Sequence, residues 1–233
     1  MHFHLCFWPT LLLLFALSAF AGISAVHAVV PGQIDTFQDG TTDNWKTGQI
    51  QPVNIANGGP GGAGDRFLEL SSDGSGANGR LTVFNRNQWT GDYIAAGVNE
   101  ITVDLNNFSD VTLNIRLAFK DSTTANGSGY VTSTAFTLTP SSGWQHAVFS
   151  ITPTTMTAAG SPAPFSTFFS GPAEFRIINA STNTDLNGNA VVAQLGVDNI
   201  IAVPEPSSVV LVLGCSVGTM GLGVFRRRRI PSR

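Results

Sequence analysis

From Val111 to Lys120 the chain alternates without a break. Val111, Leu113, Ile115, Leu117 and Phe119 are apolar, and Thr112, Asn114, Arg116, Ala118 and Lys120 fall between them. Successive side chains of a strand point to opposite faces, so the pattern predicts a strand with one buried and one wet face. Ile101, Val103 and Leu105 repeat it around Thr102 and Asp104. Further candidates are Gln51 to Ala56, Arg66 to Ser71, Arg80 to Asn85, Val131 to Leu138, Trp144 to Ile151, Glu174 to Asn179 and Ala193 to Ala202. Clusters such as Asn57-Gly58-Gly59-Pro60-Gly61-Gly62 and Asn126-Gly127-Ser128-Gly129 separate them as turns. No stretch carries a helical stripe, and Pro162 to Phe169 holds one short helical turn at most. The expectation is all-β: an antiparallel β-sandwich over residues 29–202. With 42% hydrophobic and 12% charged residues, the chain has the material for a packed core.

Both ends read as addresses. An apolar core from Leu11 to Phe20 is followed by small residues, and Val26-His27-Ala28 offers a cleavage site after Ala28. Residues 1–28 are expected to be a signal peptide, although Met1 to Pro9 holds no Lys or Arg. The alternative is an uncleaved N-terminal membrane helix, for which the apolar core is short. At the other end, Pro204-Glu205-Pro206 precedes an apolar stretch, residues 208–225, and then Arg226, Arg227, Arg228 and Arg229. Its seventeen residues from Val209 to Phe225 reach roughly 26 Å as a helix, close to the hydrocarbon thickness of a bilayer. The four arginines act as a membrane stop on the cytoplasmic side, which leaves the domain outside. Gly214-Cys215-Ser216-Val217-Gly218 matches a serine-hydrolase motif, but inside a membrane span it lacks the strand–turn–helix setting that motif requires.

The order of these three elements over residues 203–233 resembles the PEP-CTERM sorting signal. The resemblance implies recognition by an exosortase, cutting near Pro204-Glu205-Pro206, and delivery from the membrane to the cell surface or extracellular matrix. Two prolines keep that strip extended and out of the helix. A plain stop-transfer anchor is the alternative.

Cys6 and Cys215 both lie in the address segments, so the domain between them contains no disulfide and no thiolate ligand. Of the twelve basic residues, Arg226 to Arg229 and Arg233 lie in the tail. Without these and Glu205, seven basic residues face fourteen acidic ones, a balance of −7. A domain of that charge is a poor holder of nucleic acid.

Asp35-Thr36-Phe37-Gln38-Asp39-Gly40 with Trp45, and Leu195-Gly196-Val197-Asp198-Asn199-Ile200, resemble the first and last strands of galactose-binding-like jelly rolls. That group includes many carbohydrate-binding modules. The resemblance implies a structural Ca²⁺ held by Asp39 and Asp198 with loop carbonyls; a turn at Asp39-Gly40 and a solvated Asp198 are the alternative. Asn183 to Asn189 spaces its oxygens like a calcium loop, but a polar hairpin loop explains it better, since position twelve is Gln194.

Exposed aromatic faces would serve a sugar. Trp89 and Tyr93 flank the turn Thr90-Gly91-Asp92 and are expected to form a platform, with Asp92 accepting hydroxyl hydrogen bonds. Trp45 and Trp144 are assigned to the core, where large aromatics of sandwiches mostly go. His146 is the only histidine after residue 28, and the inward parity of residues 147, 149 and 151 turns it outward. No carboxylate pair or metal-ligand spacing suggests an enzyme. The expected role is structural or adhesive, within an extracellular polysaccharide matrix. A carbohydrate-binding module is the alternative, and a glycan-active hydrolase a more distant one.

Overall fold

The computed structural model describes residues 28–205, except 77–78, 122 and 124–126. The expected signal peptide, the expected membrane helix, Pro206 and the Arg226–Arg229 cluster lie outside the described residues. No helix among the described residues is long and apolar enough to cross a membrane.

The strands run in chain order as β1 (Ile34–Asp35), β2 (Val53–Ile55), β3 (Phe67–Asp73), β4 (Thr82–Asn85), β5 (Val98–Asn107) and β6 (Leu113–Asp121). There follow β7 (Ser128–Thr132), β8 (Phe136–Leu138), β9 (Trp144–Ser150), β10 (Met156–Ala159), the short helix α1 (Phe165–Phe169), β11 (Glu174–Asn179) and β12 (Val192–Pro204). They form two antiparallel sheets. One has the order β2-β3-β12-β5-β9, with β1 also on β12. The other has the order β10-β7-β6-β11-β4, with β8 also on β6. The chain is therefore the all-β antiparallel sandwich that the alternation predicts.

The alternation also fixes what lies between the sheets. Leu68, Leu70, Ile101, Val103, Leu105, Val197 and Ile200 face Val83, Leu113, Ile115, Leu117, Phe119, Phe175 and Ile177 in one buried cluster. Each such side chain contributes roughly 1.5–3 kcal/mol by leaving water. Aromatics of the loops and of α1 complete that cluster. Trp45, Trp89, Phe37, Tyr93 and Phe169 are all fully buried. Trp45 and Trp89 each pack on Phe175, at 5.4 and 5.3 Å between ring centroids.

The sheets differ on their outer faces. The expected wet face of β6 is largely dry, because Arg116 and Ala118 are buried. The chain after β11 folds back over it, and Ala118, Val131, Ala159, Ile178, Ala180 and Leu186 form a second apolar cluster there. Arg116 is tolerated because its guanidinium donates to the carbonyls of Ala180 (3.1 Å), Thr132 (2.7 Å) and Ser133 (2.9 Å). Alternation alone could not foresee a covering segment that is distant in sequence. The expected strand Val131 to Leu138 is two, β7 and β8, both paired with β6. Strand β10 pairs with β7 and fell within no predicted strand.

β12 carries one irregularity with consequences. Asp198 stands opposite Asp104, but the next paired residue is Ile201, opposite Thr102. The extra residue is a β-bulge, and it reverses the strand's parity. Before it Leu195 and Val197 face the core; after it Ile200 and Ala202 do. Asn199 takes the left-handed conformation that the bulge needs (φ 48°), which Asn tolerates better than most residues.

Candidate functional site

The outer face of the sheet built on β12 is not covered in the way its counterpart is. Its side chains follow from register. Asn106 of β5 stands between Gly196 of β12 and Trp144 of β9. In the next outward row Asp104 stands between Asp198 and His146. In the next, Thr102 stands between Ile201 and Val148.

The first row supplies an aromatic surface. Trp144 packs edge-on against Phe67 (5.2 Å) and Phe108 (6.3 Å), and Phe67 and Phe108 lie 5.7 Å apart. Phe67 is buried beneath, whereas Trp144 is half-buried and Phe108 is 42% exposed. Gly196 permits this arrangement. A Cβ there would lie 2.8 Å from both Phe108 Cε2 and Trp144 Cη2, closer than real contacts allow. The indole N–H of Trp144 donates to the Gly58 carbonyl at 2.8 Å, which fixes the ring.

The second row supplies polar groups. Asp104 Oδ1 lies 2.7 Å from His146 Nδ1, and Asp104 Oδ2 accepts from Asn199 Nδ2 at 2.8 Å. The His146 side chain is 57% exposed and that of Asp104 17%. The bulge is what brings Asn199 to this face. Asp198 lies deeper and is fully buried. Its Oδ1 accepts the Asn199 N–H at 2.8 Å, and its Oδ2 has no hydrogen-bond partner. Burial, reinforced by the carboxylates of Asp65 and Asp104, pushes Asp198 up to about 7. Asp198 offers no surface to a substrate, so the two acids do not flank an open cleft as a glycosidase requires.

The expected sugar platform is corrected. Trp89 is inside the core, and its indole N–H donates to Asp35 Oδ2 at 2.6 Å. Tyr93 is also buried; its hydroxyl donates to the Trp89 carbonyl at 2.7 Å, and burial raises its pKa well above the ordinary value. Asp92 is half-buried and accepts the Ala95 N–H at 2.7 Å, shaping the turn. The aromatics lie in an irregular loop, where no parity tells inside from outside. Trp144 is corrected in the opposite sense. The parity that turns His146 outward turns Trp144 outward too, and that signal was present in the sequence.

The two expected calcium ligands sit in different settings, Asp39 exposed and Asp198 buried. Asp39 is exposed and accepts from Thr41, at the backbone N–H (2.8 Å) and at Oγ1 (3.1 Å). The carboxylates that act on Asp198 are Asp65 and Asp104, whereas Asp39 acts on Asp43. Among the described residues no group of three or more His, Cys, Asp or Glu could hold a metal ion. The loop Asn183 to Asn189 is organised by Asp185, whose Oδ1 accepts the N–H groups of Asn187 (2.8 Å) and Gly188 (3.1 Å).

Of the expected sorting motif, Pro204 is the last residue of β12, opposite Val98, and the Glu205 N–H donates to the Gly97 carbonyl at 2.9 Å. The sheet thus runs up to the motif itself rather than ending at residue 202.

No protein-family model and no curated protein matches the chain. Solved structures similar to it include an exo-beta-agarase, 12% identical, over 76% of this chain and 25% of that one, with a TM-score of 0.49. Another is the family 11 carbohydrate-binding module from Clostridium thermocellum in complex with a beta-1,3-1,4-mixed-linked tetrasaccharide. It is 14% identical, over 76% of this chain and 97% of that one, with a TM-score of 0.47. A third is the N-terminal CBM22-1-CBM22-2 tandem domain from Paenibacillus barcinonensis Xyn10C, 13% identical, over 72% of this chain and 48% of that one, with a TM-score of 0.45. The chain spans about a quarter of the agarase and half of the tandem domain.

Proposed function

We propose that this chain is a sugar-binding module of the jelly-roll kind, without catalytic activity, that applies the outer face of its β12-centred sheet to a polysaccharide. The observation that carries the reading is the Trp144–Phe108 surface, locked over Gly196 and bordered by Asp104, His146 and Asn199. An aromatic face takes the apolar face of a sugar ring, and carboxylate, imidazole and amide groups take its hydroxyls. The ring is held in place before binding, which lowers the ordering cost of association.

Affinity electrophoresis of the full chain in gels cast with a panel of soluble polysaccharides tests this. Retardation by at least one neutral glycan is expected. Trp144→Ala should weaken it by about tenfold to a hundredfold, or roughly 1.4–2.8 kcal/mol. Trp89→Ala instead lowers the melting temperature, because Trp89 is core. No retardation across the panel, or an unchanged Trp144→Ala variant with a normal melt, would overturn the reading.

We also infer export followed by exosortase sorting to the cell surface or matrix, where a module of this kind would bind polysaccharide in a structural or adhesive role. The support is the order Pro204-Glu205-Pro206, residues 208–225, Arg226–Arg229 behind a predicted signal peptide. Mass spectrometry of the surface fraction is expected to find chains that begin after residue 28 and end near residue 206. Mature protein extending through Arg233 would exclude processing.

A further inference from the structure

A second feature lies apart from the Trp144 face. Seven basic residues fall between residues 29 and 203, and four of them, Arg80, Arg86, Lys120 and Arg176, gather on the other sheet and its edge. Two of them, Arg80 and Arg176, line a pocket of about 160 Å³ together with Ser71, Thr82, Gln49 and Phe84. In a domain with twice as many acids as bases, such clustering is not produced by composition.

The arginines are not equivalent. Glu174, which is buried, accepts from Nε of both Arg86 and Arg176. Arg176 also donates to the Leu186 carbonyl (2.9 Å) and to Asn187 Oδ1 (3.0 Å), and Lys120 Nζ reaches the same oxygen at 3.3 Å. The Phe84 ring lies under the guanidinium groups of Arg86 (4.8 Å) and Arg176 (5.7 Å). Glu174 thus serves two arginines and Asp185 adds a second negative charge near Arg176, and with Arg80 and Lys120 counted the positive charge is in excess. Burial first, then the neighbouring Arg176, depresses the Lys120 ammonium, with Arg86 and Arg80 adding to the effect and Glu174 opposing it. Arg80 is placed at the rim by its backbone bridge to Ala190. Its half-buried guanidinium has no hydrogen bond or ion pair among the described residues.

We propose that this pocket binds an oxyanion substituent, a carboxylate or a sulfate, of an acidic saccharide. Arg80 supplies the planar fork that pairs with such a group. Arg176 and Lys120 supply the field. Ser71, Thr82 and Gln49 meet the hydroxyls of the ring that carries the anion. The acidic remainder of the domain opposes an extended polyanion such as nucleic acid, which needs many phosphate contacts. That the anion is borne by a saccharide rests on the sugar-binding reading above; the oxyanion site itself does not.

The test is a titration of the full chain with glucuronate, inorganic sulfate and glucose, followed by NMR of arginine Nε–Hε signals. Glucuronate or sulfate should shift the Arg80 and Arg176 signals and glucose should not, and a preference between the two anions assigns the substituent. Arg80→Gln should weaken anion binding at least fivefold and leave neutral-glycan retardation unchanged. Trp144→Ala should do the reverse, so the two readings fail separately. Absence of a shift with both anions would overturn the proposal. So would equal anion binding by Arg80→Gln, or an oligonucleotide that binds through Arg80 more tightly than an acidic glycan.

Discussion

Replacing Asp35 by Ala is expected to cost about 3–5 kcal/mol of folding stability, enough to lower the melting temperature by on the order of 10 °C. Asp35 is a buried carboxylate on β1. Its Oδ2 accepts from the indole N–H groups of Trp45 (2.7 Å) and Trp89 (2.6 Å) and from Gln88 Nε2 (3.2 Å). Burial raises its pKa, and the two indole hydrogen bonds hold that rise back. With Ala at this position, two indole donors remain in a dry core with nothing to accept them. Desolvation of those donors is then uncompensated, and that penalty exceeds the worth of the bonds themselves. Asp35→Asn retains an acceptor oxygen at the same place and should recover about half of the loss. Urea unfolding of the three proteins measures this. A change under about 1 kcal/mol for Asp35→Ala would mean that the indoles find other partners.

Asp198→Asn should act in the opposite direction, and its effect should depend on pH. In the folded chain Asp198 holds its proton up to about pH 7, while in the unfolded chain it titrates near the ordinary carboxylate value of about 4. Between those values the native state binds more protons than the unfolded state. The contribution of Asp198 to stability is therefore full below about pH 4, falls as pH rises, and reaches its lowest level above about pH 7. An amide in its place cannot ionise. The variant should gain about 2–4 kcal/mol over the native chain at pH 8 and less than about 1 kcal/mol at pH 4.5. Thermal melts of both proteins across that range give the difference directly. A difference that does not vary with pH would show that Asp198 does not titrate in this window.

Alternation in the sequence was enough to place most strands and the core-facing set of β5, β6 and β9. It was not enough to describe β6 fully, because the segment that dries its outer side, around Ala180 and Leu186, lies some sixty residues away. The bulge at Asp198 and Asn199 was equally hidden, since a single extra residue reverses parity without altering composition. Among the site residues, His146 and Trp144 obey one parity argument. Applying it to the histidine while assigning the tryptophan to the core by residue type missed the exposed aromatic face. Trp89 and Tyr93 gave no such handle, because the loop that carries them has no period. The Arg80 pocket was illegible for another reason. It gathers side chains from β3, β4 and β11 and from the segment before β2, which only the fold brings together.

The pairing of β1 with β12 has a practical consequence. The Gly32 N–H donates to the Ala202 carbonyl at 2.8 Å, and the Ala202 N–H to the Gln33 carbonyl at 2.9 Å. The sandwich therefore begins and finishes at one spot on its surface. A chain with that geometry can be spliced into a loop of an unrelated host, or joined head to tail and reopened elsewhere as a circular permutant, with little distortion of either partner.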